Sequence, residues 1–139
     1  MKIRTTKKVK KKPKLKSISS LKDKAWSVFS LYIRQSNADS RGYCTCYTCG
    51  NSAPWKEIQA GHGIGGRTNA VLFDEEIVKP QCVACNIFLR GNYTIFTTKL
   101  IKQHGMQWWE NKLINSRLLI KHSRADLEEI IRNYKARTP

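Results

Sequence analysis

A chain of 139 residues is the size of one domain with one modest core. Its 26 Lys and Arg against 10 Asp and Glu give a formal charge of +16, an imbalance that points to a polyanionic partner, nucleic acid before an anionic membrane surface. No run approaches the roughly 18 consecutive apolar residues of a membrane span, and the basic N-terminal region lacks the apolar stretch of a signal peptide. A protein of the reducing cytoplasm is expected, where five cysteines, an odd number, argue for metal or thiol chemistry over disulfides.

The charge is concentrated at the start. Residues 1–16 hold nine of the basic residues, Lys7, Lys8, Lys10, Lys11 and Lys12 among them, and no acid. Such a segment buries too little apolar surface to offset ordering entropy, so residues 1–18 are expected to be a disordered arm that touches phosphates without reading sequence. Ser20-Leu-Lys-Asp23 has the form of a capping box, and Leu21, Ala25, Val28, Phe29, Tyr32 and Ile33 follow at helical spacing, predicting a helix over 19–36. Asn37, Asp39, Ser40 and Gly42 end it. The segment from Tyr43 to Glu57 reads as a knuckle between two irregular strands. AGHGIGGRTN, from Ala60 to Asn69, is too glycine-rich for regular structure and is expected to be held by a metal. A short helix is predicted around Thr98 to Gln103, stopped by Gly105, and another at Trp108, Trp109 and Leu113. Ser123-Arg-Ala-Asp126 is a second capping box, opening an amphipathic helix through Leu127, Ile130, Ile131 and Tyr134.

Cys46-Tyr-Thr-Cys49 and Cys82-Val-Ala-Cys85 form two CxxC knuckles. The two-residue spacer lets both sulfurs of one turn reach the same tetrahedral ion, so these four thiolates are predicted to hold a structural Zn²⁺. Cys44 stands outside that spacing, as a free thiol or an alternative register.

Between the knuckles lies His62, and Asn86 directly follows the last cysteine. Zinc would draw this imidazole and carboxamide together. Neutral imidazole takes a proton from water near pH 7, and a hard ion such as Mg²⁺ or Mn²⁺ takes oxygen ligands such as Asn86 Oδ1; together they suit phosphodiester hydrolysis. Arg67, in the glycine-rich loop beside His62, is the candidate clamp on transition-state charge, with Arg90 a second phosphate contact. Trp26, Trp55, Trp108 and Trp109 are candidates for stacking on exposed bases, with core packing favoured for Trp26 and Trp109, which stand among apolar residues. His104 and His122 lie at helix ends, where dipole interactions account for them.

Cys46-x-x-Cys49, Gly61-His62 and Cys82-x-x-Cys85-Asn86 resemble the zinc-bearing HNH (ββα-metal) nucleases, among them phage endonuclease VII. More closely, SLKDKAWSVFSLYIRQ, GYCTCYTCG, AGH, FDEE, PQCVACN and GNYTIFTTKLIKQHG resemble the lambdoid phage NinG (Rap) recombination nuclease family. The resemblance implies an α+β fold: a small zinc-stapled ββα-metal core at 43–92 within a nuclease domain at 19–139, flanked by the N-terminal helix and by C-terminal helices at 94–139. It implies a phage endonuclease that cuts Holliday junctions or D-loops, and the symmetry of such cutting implies a homodimer.

Two positions depart from the HNH pattern. Its middle Asn falls on Ile77, leaving Asn69 as a substitute, and a metal-binding Asp is replaced by Gly61, leaving Asp74, Glu75 or Glu76 as candidate oxygen donors. Two alternatives stay open: a non-catalytic zinc-dependent module that binds nucleic acid, and an HNH nuclease on ordinary duplex.

Overall fold

The computed structural model describes residues 9–139, so Lys7 and Lys8 lie outside the described residues. Residues 9–17 have no regular secondary structure and are exposed. The chain then forms α1 (Ile18–Ser36), β1 (Tyr43–Thr45), β2 (Ser52–Pro54), β3 (Gln59–His62) and β4 (Val78–Gln81). A π-helical turn (Ala84–Phe88) leads to α2 (Tyr93–His104), α3 (Met106–Ser116) and α4 (Arg124–Arg137). This is a mixed fold with two separate two-stranded antiparallel sheets, β1-β2 and β3-β4.

α1 buries Leu21, Ala25, Phe29 and Ile33, a stripe of strict four-residue spacing. The stripe packs on Leu127, Ile131 and Tyr134 of α4 and on Ala60 and Val78 of the β3-β4 hairpin. Phe29 is fully buried, and Tyr134 meets its ring edge-on at 4.8 Å. The start of α1 differs from expectation: Ser17 is the N-cap and accepts from Ser20 N at 3.1 Å. The four-residue pattern at Ser20 is one turn inside the helix, because a hydroxyl caps whichever end the packed stripe fixes. At α4 the capping box is as predicted, Ser123 and Asp126 exchanging their bonds. α2 begins five residues earlier than the stretch predicted around Thr98, with Asn92 as its left-handed N-cap.

The glycine-rich segment is more ordered than its composition suggests. Its first three residues, Ala60, Gly61 and His62, belong to β3, with Gly61 opposite Lys79 and His62 opposite Val78. The glycines here serve close packing: a side chain at Gly61 would collide with Gln81, and one at Gly63 would meet Phe96 and Leu100 within 3 Å. The 63–77 excursion is held by apolar burial of Ile64, Val71 and Ile77 against Phe96, Leu100 and Trp109. After β4 the chain makes the π-helical turn where the ββα pattern calls for an α-helix, and regular helix resumes only at Tyr93.

Candidate functional site

Two features stand side by side, a four-cysteine cluster and a basic cleft. Cys46 follows β1 and Cys49 closes a turn in which Gly50 N donates to Cys46 O; Cys82 and Cys85 leave β4 into the π-helical turn. Their four Sγ atoms lie within 4.8 Å of one another. The Cys49–Cys82 pair is 3.7 Å apart, the edge of a tetrahedron with ~2.3 Å metal–sulfur bonds, which is about 3.8 Å. Donors already face the sulfurs: Cys85 N lies 3.5 Å from Cys82 Sγ and Asn92 Nδ2 3.7 Å from Cys85 Sγ. Burial works against ionisation of Cys46, but hydrogen bonds from the Cys82 backbone, Thr48 and the Cys49 backbone outweigh it and bring the thiol down to about 6. The donor set fits a structural zinc. Cys44 is no part of it: this buried thiol donates to Arg34 O at 2.9 Å, and burial pushes it up.

Beside the knuckles opens a cleft of about 720 Å³, into which α1, β3, the 63–77 excursion and the π-helical turn all project. Four residues singled out from the sequence, His62, Arg67, Asn86 and Arg90, line it together. His62 is 6% exposed, and its ring stacks on Trp26 at 5.0 Å and 24°. Its Nε2 is 3.2 Å from Leu72 O. A carbonyl only accepts, so Nε2 carries the proton and Nδ1 holds the lone pair. Burial, reinforced by the Arg67 charge and opposed by the Leu72 bond, brings His62 down to about 4, so the ring is neutral at physiological pH.

Asn86 Nδ2 donates to Gln59 Oε1 at 2.8 Å, which leaves Asn86 Oδ1 as the free acceptor. The Arg67 guanidinium lies over the Trp26 ring at 4.6 Å, so Trp26 contacts both Arg67 and His62. Arg67 and Arg90 both hold positive φ, 44° and 50°, each costing a non-glycine residue about 1 kcal/mol. With Arg34 and Lys56 they give the cleft four cations against one lining carboxylate, Glu57.

The other sequence candidates lie elsewhere. Asp74 pairs with Lys112 Nζ at 2.7 Å, Glu76 shares that lysine at 3.1 Å, and Glu75 pairs with Arg137, so the acidic trio ties the excursion to α3 and α4 and lies outside the cleft. Asn69, the candidate orienting group for the His62 loop, does not line the cleft: its side chain donates to Ile120 O. Ile77 is fully buried, and its backbone carbonyl accepts from Gly63 N at 2.8 Å. Trp109 is buried as expected, and Trp26 is partly buried against the Phe29 cluster as expected while its ring also lines the cleft. Trp108 stacks on His104 at 4.0 Å and donates to Glu76, and His122 bonds Asn69 O.

Sequence reasoning missed Glu57 and Gln59 as cleft residues and Trp26 as the neighbour of the His62 ring. Gln59 could have been found as a residue of the His62 strand, and Trp26 as the neighbour of the buried Ala25 on the edge of the α1 stripe. Glu57 carries no local signal.

Fold and site together define a small α+β protein with a four-thiol cluster suited to a metal and a basic cleft around a neutral buried histidine. The chain belongs to the bacteriophage lambda NinG protein family, which matches it over residues 1–139. No curated protein and no solved structure matches it. No helix among the described residues is long and apolar enough to cross a membrane.

Proposed function

We propose that the protein is a metal-dependent DNA endonuclease of the ββα-metal type, acting on branched recombination intermediates such as Holliday junctions and D-loops. The observation that carries this reading is the convergence of His62, Arg67, Asn86 and Arg90, from three separate segments, on one cationic cleft. His62 Nδ1 takes the proton of the attacking water, while the Leu72 carbonyl fixes the tautomer from behind. Arg67 stabilises charge on the phosphate, and Arg90 and Lys56 hold the flanking backbone.

Asn86 Oδ1 and the Glu57 carboxylate are the oxygen donors suited to a Mg²⁺ or Mn²⁺ ion, a set that fits because such ions take one or two carboxylates and leave positions for substrate phosphate. When bound, that ion supplies Lewis-acid stabilisation of the leaving oxygen. Lys10, Lys11 and Lys12, exposed ahead of α1, extend the phosphate contacts. Paired cuts in a junction call for a homodimer, and the work is done in the host cytoplasm.

One observation favours a second reading, a non-catalytic zinc-dependent binding module: the His62 ring is 6% exposed. Digestion of a synthetic four-way junction, a D-loop and linear duplex with and without Mg²⁺ separates the two, and also separates branched from ordinary duplex substrates. His62→Gln is expected to abolish junction cleavage while changing junction affinity by less than about fivefold, because it removes a proton acceptor and no phosphate contact. Unchanged cutting by that variant ends the hydrolytic reading.

A further inference from the structure

Between Asn86 and Arg90, which both line the cleft, stand three apolar residues, of which Ile87 lines the cleft with them while Phe88 and Leu89 lie outside it. Ile87, Phe88 and Leu89 are 54%, 78% and 59% exposed. Three consecutive large apolar side chains presented to water are unfavourable unless something covers them. Their mounting is rigid: Leu89 N donates to Ala84 O, Arg90 N to Ile87 O, Gly91 N to Cys85 O and Asn92 N to Leu89 O. The turn is π-helical, a geometry rare in proteins and concentrated at functional sites. It is anchored on Cys85 of the four-thiol cluster and cannot fold back without disturbing that cluster.

The surroundings select the occupant. Arg34, Lys56, Arg67 and Arg90 line the adjoining cleft, so whatever meets the turn presents phosphates on one side and apolar surface on the other. Nucleic-acid bases do both, since each base joins its phosphate through one sugar. Phe88 is two residues from Asn86 and two from Arg90, within about 7 Å of chain from either. We infer that Ile87, Phe88 and Leu89 form a base-stacking wedge that inserts beside the phosphate held in the cleft, with Phe88 stacked on an unpaired or unstacked base. Apolar side chains inserted in this way unstack a base step, and the cost is least where stacking is already interrupted. The wedge thus gives the cleft a preference for branch points over continuous duplex. The inference rests on the reading of the cleft as a DNA site.

The test uses the full chain with its zinc and a four-way junction carrying 2-aminopurine next to the branch, in buffer without Mg²⁺ so that no strand is cut. Wild-type protein is expected to raise 2-aminopurine fluorescence severalfold at saturation. Phe88→Ala is expected to lose most of that rise and to weaken junction binding about tenfold, with less than a twofold effect on linear duplex. Phe88→Trp is expected to restore both. Because Phe88 is largely exposed, the urea midpoint of the alanine variant stays at the wild-type value. Equal fluorescence from wild type and Phe88→Ala overturns the wedge. So does a shift from dimer to monomer in sedimentation of the alanine variant, which would assign this turn to a second copy of the chain. His62→Gln keeps the fluorescence rise, so loss of the hydrolytic reading and loss of the wedge register in different measurements.

Discussion

Replacing His62 by glutamine should remove an acid-sensitive part of the stability of the fold. His62 is 6% exposed and titrates at about 4 against 6.5 for a free imidazole, chiefly because burial disfavours its charged form. The unfolded chain therefore takes up this proton first as pH falls. Stability from the neutral buried ring is fully present above about 6.5 and is lost as pH drops towards 4. A shift of this size is worth about 3 kcal/mol in full, of which about 2 kcal/mol is lost between pH 7 and pH 5. Urea unfolding at the two pH values, in the presence of zinc, reads it directly. The wild-type midpoint should fall by about 1 M more than that of His62→Gln, given slopes of about 1–3 kcal/mol per M for small domains. Protonation of the thiolates and of surface groups lowers both proteins alike and cancels in the difference. Parallel falls in the two proteins would refute the reasoning, since they would mean that the ring is solvated or already charged in the native state.

Two further substitutions test the separation of structural from functional groups. Cys44→Ala should retain one zinc per chain at a cost of about 1 kcal/mol for the lost bond to Arg34 O, whereas Cys49→Ser should lose the metal, both read by metal analysis of the purified protein. Asp74→Asn should destabilise the fold by about 2 kcal/mol, because Asp74 and Lys112 keep side chains only 20% and 19% exposed; junction cleavage by the refolded variant should stay within twofold of wild type, and a complete loss would return Asp74 to the catalytic centre.

The cleft is organised although Gly61 and Ile77 carry no polar side chain. Gly61 cannot be aspartate here, because Gln81, fully buried and bonded to Thr48 and to Gly91 O, occupies the space a side chain would need. The carboxylate that lines the cleft is Glu57, two residues before β3. Ile77 cannot reach across the excursion with a polar group, and the excursion is instead fixed by its burial against Val71, Phe96 and Leu100.

What the sequence determined by itself was whatever depends on spacing along one segment. The two CxxC pairs, the capping box at Ser123 and the four-residue stripe of α1 are local patterns whose geometry follows from a few adjacent residues. The choice of His62, Arg67, Asn86 and Arg90 also came from local context, beside glycines or beside a knuckle. Only the tertiary structure decided that these four face one cleft, that Trp26 of α1 lies against His62, and that the acidic trio does not reach it. Those facts depend on how α1 crosses the β3-β4 hairpin and on where the 63–77 excursion is buried. Such long-range packing is set by the summed fit of many apolar side chains, which no single stretch of sequence records.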